Sequence, residues 1–233
     1  MTNKANLDKE LNITINNETF ERIPLKTHVV MADDNILEVV KKYADASLKD
    51  NDILFVTEKI VAITQGRAYP LKDIKPRKLA YTLSNYVTKT PHGIGLGMPE
   101  TMEMALRECG TPRILFASAV AAVGKVLGRK GDFYNVAGYK ARSIDGPTNG
   151  TIPPYNEYVV LGPLNPDQVA LDIKAQFTQE IEVIVVDIND LGGNILGSSN
   201  KKTINNDLMV QILKDNPLGQ KAQSTPLGII RKV

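Results

Sequence analysis

Apolar and polar positions follow two patterns along the chain, and these predict strands and helices in turn. Short runs of β-branched and other apolar residues at 53–56 and 183–186 predict strands that are buried on both faces. Apolar side chains at helical spacing, with caps or prolines at the start, predict helices over 36–48, 76–87, 100–109, 166–177 and 207–214. Because strands alternate with helices, the fold class is α/β or mixed α+β, with mixed sheets and helices.

The ends and the middle of the chain give weaker signals. Residues 1–21 are interpreted as an N-terminal extension or a hairpin, and residues 22–233 as the main α/β domain. The apolar segment 112–126 is predicted to begin as a strand, to continue as a helix, and to be buried in a core or against a partner. The remaining expectations are short strands at 134–138, near 159 and at 225–231, and a polar loop that continues to 205.

Composition limits the class of protein. The 233 residues include 28 basic and 26 acidic side chains, a net charge of +2, so no nucleic-acid partner is expected. The single cysteine, Cys109, excludes an intramolecular disulfide and favours a reducing compartment. The start of the chain lacks the apolar segment of a signal peptide, and no apolar run is long enough to span a bilayer. We therefore expect a cytoplasmic protein with no membrane partner.

The segment 183–193 carries the most informative polar residues. Asp187, Asn189 and Asp190 follow directly on the buried strand, and two glycines follow them. In open α/β sheets ligands bind beyond the carboxyl ends of the strands, and hard oxygen ligands at such a place suit Mg²⁺ or Mn²⁺. A tight turn that ends the strand explains the same residue types, so both interpretations stay open at this point.

A phosphate site needs backbone N–H groups, hydroxyls and a lysine where a strand meets a helix. Thr57, Glu58 and Lys59 occupy such a position. The chain lacks the G-x-x-x-x-G-K-[ST] and G-x-G-x-x-G patterns of known phosphate loops. The glycine-rich stretch 92–97 precedes a helix, but a connection between helices explains it as well. Asp145 is a further loop carboxylate, for which a plain Asp-Gly turn is the simpler explanation.

An ordered series of short motifs runs from Arg22 to the end of the chain. It consists of the segments 52–67, 135–145, 163–167, 187–190 and 219–231. In that order they resemble the first strand–helix signature, the "NAG…D" and "PLDPD" segments, the strand-end metal turn and the closing nucleotide loop of one family. This is the coenzyme F420-0:L-glutamate ligase (gamma-glutamyl ligase) family, and the resemblance covers most of the chain.

The resemblance implies an F420-0:gamma-glutamyl ligase-like fold with two intertwined lobes, assembled as an intertwined homodimer. It implies an enzyme that uses GTP and Mg²⁺ or Mn²⁺ to join a small-molecule carboxylate to an amino acid, L-glutamate in the family, through an acyl-phosphate. Positioning and metal charge do most of the work in such chemistry. The metal ligands implied are Asp187 (also the catalytic residue), Asn189, Asp190 and Asp145. The nucleotide contacts implied are Pro24, Leu25, Lys26, Thr57, Glu58, Lys59, Gly219, Gln220 and Thr225.

One departure from the family leaves other functions open. Where the family's "AG-x-D" segment has an acidic residue, this chain has Lys140. If Lys140 has replaced the metal, its ammonium group would pair with Asp187, and Asp145 would be the substitute ligand if the metal is retained. The alternatives to a ligase are a non-catalytic nucleotide-binding or regulatory homodimer that kept the fold, and a structural homodimer without a ligand.

Overall fold

The computed structural model of the protein describes residues 4–87, 94–129, 131–148, 150–189, 192–219 and 223–233. The chain divides into two compact units. The first unit consists of Met1–Gly66 with Pro163–Val233, and the second is Arg67–Gly162. The second unit is thus a continuous segment inserted between the two parts of the first.

Strands and helices occur in both units. The strands are β1 (Asn12–Ile15), β2 (Glu18–Leu25), β3 (Ile53–Thr57), β4 (Ala68–Pro70), β5 (Tyr158–Val160), β6 (Glu182–Asn189), β7 (Gly192–Ser198) and β8 (Leu227–Lys232). The helices are α1 (Ile36–Ala44), α2 (Glu58–Thr64), α3 (Lys78–Ser84), α4 (Pro99–Glu108), α5 (Thr111–Val126), α6 (Asp132–Ala137), α7 (Tyr139–Arg142), α8 (Pro166–Lys174) and α9 (Asn206–Leu213). The structure is therefore of the mixed α+β class, as the alternating pattern predicted.

The first unit is built on a six-stranded mixed sheet with the order β1-β2-β8-β3-β6-β7. β3 and β6 pair in parallel, and every other neighbouring pair in the sheet is antiparallel. Because β8 lies between β2 and β3 and is antiparallel to both, β2 runs in the same direction as β3 and β6. The carboxyl ends of these three strands lie at one edge of the sheet, which we call the carboxyl edge.

The sheet of the first unit separates two apolar cores, because successive side chains of a strand point to opposite faces. Val56 and Val185 pack with residues of α1, α2 and α8 on one face, and Phe55 and Val186 pack with residues of α9 on the other. All four side chains are fully buried. The prediction that 53–56 and 183–186 are strands buried on both faces is confirmed.

The second unit contains α3 to α7 and the two-stranded sheet of β4 and β5 around a core of its own. A carboxylate is buried among its helices: the side chain of Glu103 in α4 is 3% exposed and accepts hydrogen bonds from Arg77 and Arg107. The Nε atoms of these arginines lie 3.0 and 2.8 Å from the carboxylate oxygens. These ion pairs hold Arg77, the residue before α3, against α4.

Several local predictions are confirmed. Asn35 caps α1, since its side-chain oxygen accepts from the amide of Leu37 at 2.9 Å. The predicted strand near residue 159 is β5, and the predicted last strand is β8. β1 pairs only with Glu18–Glu21 of β2, and Pro24 lies beyond this part of the strand. The N–H group that Pro24 lacks is therefore not needed for a described hydrogen bond between β1 and β2.

Three predictions of local structure are wrong. The segment 114–116 is the start of α5 and not a strand, because Ile114, Ala117 and Gly124 are buried at helical spacing along one face. Residues 134–137 belong to α6, and Gly138 follows the helix with a positive φ of 89° that glycine adopts without strain. The expected polar loop after β6 begins as β7, which pairs antiparallel with β6 from Asn189 opposite Gly192 onward, although the glycines and asparagine at its start are typical of a turn.

The helix α8 begins after Asn165 as predicted, but not by the predicted cap. Asn165 is in the left-handed conformation (φ 47°), and its side chain makes no capping hydrogen bond. Instead, residues outside the helix hold the first turn of α8. Asp167 accepts from the amide of Ser198 at 3.0 Å and from Lys201 at 2.6 Å. Gly197 is required there, since a Cβ atom on it would overlap the backbone of Pro166.

The helix α5 is less buried than its apolar sequence predicted. Phe116 is 64% exposed and Val126 is 87% exposed, and Leu115, Val123 and Leu127 are exposed as well. The expectation of burial in a core is therefore wrong for this face of α5, and burial against a partner stays a prediction. In the described parts of the chain, no helix has the length and hydrophobicity to cross a bilayer.

Candidate functional site

Three strands of the first unit deliver the candidate residues to the carboxyl edge. β2 ends at Leu25, and Lys26 follows it as an exposed residue. β3 ends at Thr57, which pairs with Val186, and Asp187 is the next residue of β6. The topology thus brings predicted nucleotide contacts and predicted metal ligands to one edge of one sheet, where α/β proteins bind their ligands.

The segment before β8 closes on this edge. We call its described residues, 216–219 and 223–226, the closing loop. The amide of Thr27 donates to the carbonyl oxygen of Ser224 at 2.9 Å, and the Ser224 hydroxyl donates to the carbonyl oxygen of Thr27 at 3.0 Å. The amide of Thr57 donates to the carbonyl oxygen of Pro226 at 3.0 Å. The closing loop is thereby bonded to the ends of both β2 and β3.

Within the closing loop, the two predicted contacts that are described, Gly219 and Thr225, each form hydrogen bonds with other residues of the loop. Gly219 is in the left-handed conformation (φ 72°), and its amide donates to the carbonyl oxygen of Asn216 at 2.9 Å. Thr225 is buried and its hydroxyl donates to the carbonyl oxygen of Leu218 at 2.6 Å. The third predicted contact in this region, Gln220, lies outside the described residues.

The predicted phosphate contacts are at the junction of β3 and α2. Thr57 is the residue before α2, and its side chain makes no capping hydrogen bond to the helix. Glu58 and Lys59 are the first two residues of α2, and all three side chains are partly exposed. This arrangement is the strand-to-helix junction that the sequence predicted, and it lies at the carboxyl edge.

The predicted metal ligands on β6 share one face of the strand. Asp187 and Asn189 are two positions apart, so their side chains point to the same side, and Asn189 is the more exposed. A Cβ atom on Gly193 would come within 2.9 Å of the Asp187 carbonyl oxygen, which explains why a glycine pairs with this part of β6. Asp190 lies outside the described residues.

The other two residues of the metal prediction belong to the second unit. Asp145 forms an isolated β-bridge with Val160, through backbone hydrogen bonds of 2.8 and 2.9 Å. The Nζ atom of Lys140 lies 3.3 Å from Oε1 of Glu108, and Arg67 donates to the same oxygen at 2.8 Å. The described ion pair of Lys140 is thus with Glu108, whereas Asp187 is the partner expected if this lysine had replaced the metal.

The electrostatics around Glu108 agree with this pairing. Burial by itself would raise the pKa of Glu108, but the hydrogen bond and charge of Arg67, with a smaller contribution from Lys140, lower it below its ordinary value. Glu108 is therefore ionised near neutral pH and attracts the lysine. Among the described residues there is no group of three or more His, Cys, Asp and Glu side chains arranged to bind a metal ion.

Sequence reasoning missed several residues that organise the edge. Thr27 and Ser224 were not selected, although their reciprocal hydrogen bonds join β2 to the closing loop. Asn6 was also missed: its side-chain amide donates to the carbonyl oxygens of Pro217 and Leu218 and to the hydroxyl of Thr225, at 3.1, 2.8 and 3.0 Å. The neighbouring prolines and glycines signalled a loop, but no local pattern indicated its partners.

A second polar cluster follows directly after β2. Nδ1 of His28 lies 2.9 Å from the hydroxyl of Tyr43, and Nε2 lies 2.9 Å from Oδ2 of Asp34, which also accepts from the amide of Met31 at 2.7 Å. His28 therefore joins the segment after β2 to α1, and both of its ring nitrogens are engaged in hydrogen bonds.

Comparison with known proteins decides the family. A sequence model of the F420-0:gamma-glutamyl ligase family matches residues 24–196. The chain belongs to this family. The family match contains Lys26, Thr57, Lys59 and Asp187, and it ends before the closing loop. No curated protein matches the chain.

Proposed function

We propose that this F420-0:gamma-glutamyl ligase family member is a GTP- and divalent-metal-dependent ligase that joins a small-molecule carboxylate to an amino acid. The observation that carries the proposal is the carboxyl edge, where β2, β3 and β6 end together and the closing loop is bonded to the ends of β2 and β3. This edge contains every described residue of the predicted nucleotide site, together with Asp187 and Asn189. By family membership the amino acid is L-glutamate.

In the proposed reaction a carboxylate oxygen of the acid attacks the γ-phosphorus of GTP, and GDP leaves. The amine of the amino acid then attacks the acyl carbon, loses a proton, and phosphate leaves as the amide forms. No protein nucleophile is needed, so the work of the chain is to position the reactants and to balance charge. Lys59 and the exposed Lys26 supply positive charge at the edge for the phosphates.

Asp187 and Asn189 are the described residues that would bind the metal. A carboxylate and an amide oxygen on one face of a strand end fit Mg²⁺ or Mn²⁺, which takes few protein ligands and completes its shell with water and phosphate oxygens. When bound, the metal supplies positive charge to the phosphate oxygens. We propose Asp190 as a further ligand, and Asp187 as the residue on which binding depends.

The polypeptide also offers a surface for a homodimer, which we propose as the assembly. Phe116 and Val123 of α5 and Leu127, the residue after it, form a stripe at helical spacing, and all three are exposed. An exposed apolar stripe on a chain of this size indicates a protein contact. The occupant we propose is the same surface of a second copy, since a two-fold contact pairs identical patches.

Lys140 supports a second candidate function, that of a non-catalytic nucleotide-binding or regulatory homodimer. It stands where the resemblance placed an acidic metal ligand, and it is paired with Glu108. In this alternative the chain binds GTP but gains nothing from a metal ion.

Calorimetry separates the two functions. The ligase predicts that the wild-type protein binds GTP more tightly with Mn²⁺ or Mg²⁺ than with EDTA. The regulatory protein predicts equal affinity with and without the metal. A wild-type protein that binds neither GTP nor ATP under any of these conditions would contradict both functions.

A further inference from the structure

The N-terminal segment 4–11 lies against the closing loop. Besides the three hydrogen bonds of Asn6, the ammonium group of Lys9 donates to the carbonyl oxygen of Asp215 at 2.5 Å. The amide of Lys9 donates in turn to the carbonyl oxygen of Asn6 at 3.1 Å, so the two side chains are presented from one short turn. We call residues 4–11 the strap.

Asn6 joins the two sides of the closing loop. The hydroxyl of Thr225 accepts from the Asn6 amide at 3.0 Å and donates to the carbonyl oxygen of Leu218 at 2.6 Å. That same carbonyl oxygen accepts from Asn6 at 2.8 Å. The three residues form a closed triangle of hydrogen bonds, which ties residue 218 to residue 225 next to Ser224 and Pro226.

A buried arginine anchors the far end of the strap. Arg22 in β2 is 1% exposed, and it donates to the carbonyl oxygens of Glu10 and Ile212 at 2.6 and 3.0 Å. It also forms an ion pair with Asp215. Burial raises the pKa of Asp215, but the bond and charge of Arg22 outweigh this effect and lower it, so the pair is ionised near neutral pH. The strap is therefore attached at both ends.

Neither the strap nor the closing loop falls within residues 24–196, the part of the chain that the family sequence matches. Both segments therefore lie outside the residues that the family model matches. Because the closing loop is bonded to Thr27 and Thr57 at the carboxyl edge, a displacement of the closing loop also moves the proposed nucleotide contacts.

We propose that the strap positions the closing loop for nucleotide binding, and that Asn6 is the positioning residue through which it acts. Asn6 does not itself contact the nucleotide. It fixes Leu218 to Thr225, and this keeps the carbonyl oxygens of Ser224 and Pro226 in place for the amides of Thr27 and Thr57. The inference rests on the proposed GTP site and extends it by a control of affinity from the N-terminal segment.

The test compares Asn6→Ala with Asn12→Ala in the full chain. Asn12 is an exposed residue of the same type on β1, a few positions after the strap, and it provides the matched control. Affinity for GTP with Mn²⁺ is measured by calorimetry. Hydrogen exchange of the Thr27 and Thr57 amides is measured without nucleotide, because a general loss of stability would not affect these two amides selectively.

If the strap has this role, Asn6→Ala raises the Kd for GTP about fivefold, which is the effect of losing roughly one net hydrogen bond. It also speeds hydrogen exchange of the Thr27 and Thr57 amides. Asn12→Ala should change neither quantity. Asn6→Ser, which keeps a single donor, should give a Kd between those of the wild type and Asn6→Ala. If Asn6→Ala does not fold, Asn6→Ser is compared with Asn12→Ala in its place.

Two kinds of result overturn the inference in different ways. If the wild-type protein binds GTP and Asn6→Ala binds it equally well, the strap has no role in affinity while the proposed function stands. The strap likewise has no specific role if Asn12→Ala weakens binding as much as Asn6→Ala. If the wild-type protein does not bind GTP, the proposed function fails and the inference fails with it.

Discussion

Thr27 and Ser224 exchange two hydrogen bonds although 197 positions separate them in the chain. The amide of Thr27 donates to the Ser224 carbonyl oxygen, and the Ser224 hydroxyl donates back to the Thr27 carbonyl oxygen. Through this pair the residue after Lys26 is fixed to the closing loop. The geometry of the proposed nucleotide site therefore depends on contacts between the two chain segments that make up the first unit.

Ser224→Ala is expected to weaken GTP binding about fivefold, because it removes one of the two bonds that join β2 to the closing loop. Ser224 has a left-handed backbone (φ 55°), so Ser224→Gly serves as a comparison that removes the hydroxyl without backbone strain. Calorimetry should show weaker binding in both variants. Unchanged affinity in both would mean that the pair does not organise a nucleotide site.

Lys59→Ala is expected to raise the Kd for GTP about tenfold, because a charge-assisted hydrogen bond to phosphate is lost. Lys41, an exposed lysine on α1, supplies a control of equal charge change. Its alanine variant should bind GTP like the wild-type protein, as measured by calorimetry at fixed ionic strength. Equal effects of the two substitutions would indicate attraction by net charge and not a phosphate contact.

Glu103→Gln is expected to lower the free energy of unfolding by about 1–3 kcal/mol, because the buried carboxylate accepts charged hydrogen bonds from Arg77 and Arg107. Glu157, an exposed residue of the same unit, supplies the control, and Glu157→Gln should change stability little. Urea titration followed by circular dichroism measures both. Equal stabilities for the wild type and Glu103→Gln would show that these pairs are not stabilising.

The difference in unfolding free energy between the wild type and Glu103→Gln is also expected to depend on pH. Burial raises the pKa of Glu103, but the hydrogen bonds of Arg77 and Arg107 outweigh it and hold the pKa below the ordinary value. A lowered pKa stabilises the folded state above the pKa of the unfolded chain, about 4.3 for Glu, and this contribution is lost as the pH falls through the folded value. The stability difference between the wild type and Glu103→Gln should therefore be constant near neutral pH and shrink below about pH 4.3.

Phe116→Glu is expected to convert the proposed dimer into a monomer, because it places a charge in the apolar stripe of α5. Lys125→Glu, also on the exposed surface of α5, changes charge without removing an apolar contact. Light scattering at micromolar concentration should find dimers for the wild type and for Lys125→Glu. A wild-type protein with the mass of one 25.6 kDa chain would contradict the dimer.

The sequence was sufficient to predict two of the three strands of the carboxyl edge, because β3 and β6 are short apolar runs that are typical of a strand buried on both faces. It was not sufficient for α5, where the same apolar residues suit a strand or a helix and only the burial of Ile114 and Ala117 decides. β7 was missed because two glycines and an asparagine at its start indicate a turn, and these residues nevertheless pair with β6 as a strand.

Prediction of the site had a similar limit. The junction residues Thr57 and Lys59 could be selected because a strand meets a helix there, which is a local signal. Asn6 could not be selected, since its acceptors lie more than 200 positions away and an asparagine in a polar segment has no distinguishing pattern. The partner of Lys140 also depended on the fold, because Glu108 approaches it from another helix.

The most direct test of the account is the metal dependence of GTP binding in the wild type and in Asp187→Asn, measured by calorimetry with Mn²⁺ and with EDTA. We predict that Mn²⁺ tightens GTP binding to the wild type at least about tenfold, and that Asp187→Asn loses this gain. The melting temperature of Asp187→Asn should equal that of the wild type, because a strand end accepts asparagine. If the wild type shows no thermal shift with Mg²⁺ or Mn²⁺ plus GTP, or if Asp187→Asn keeps the full metal effect, the proposed metal-dependent ligase is contradicted.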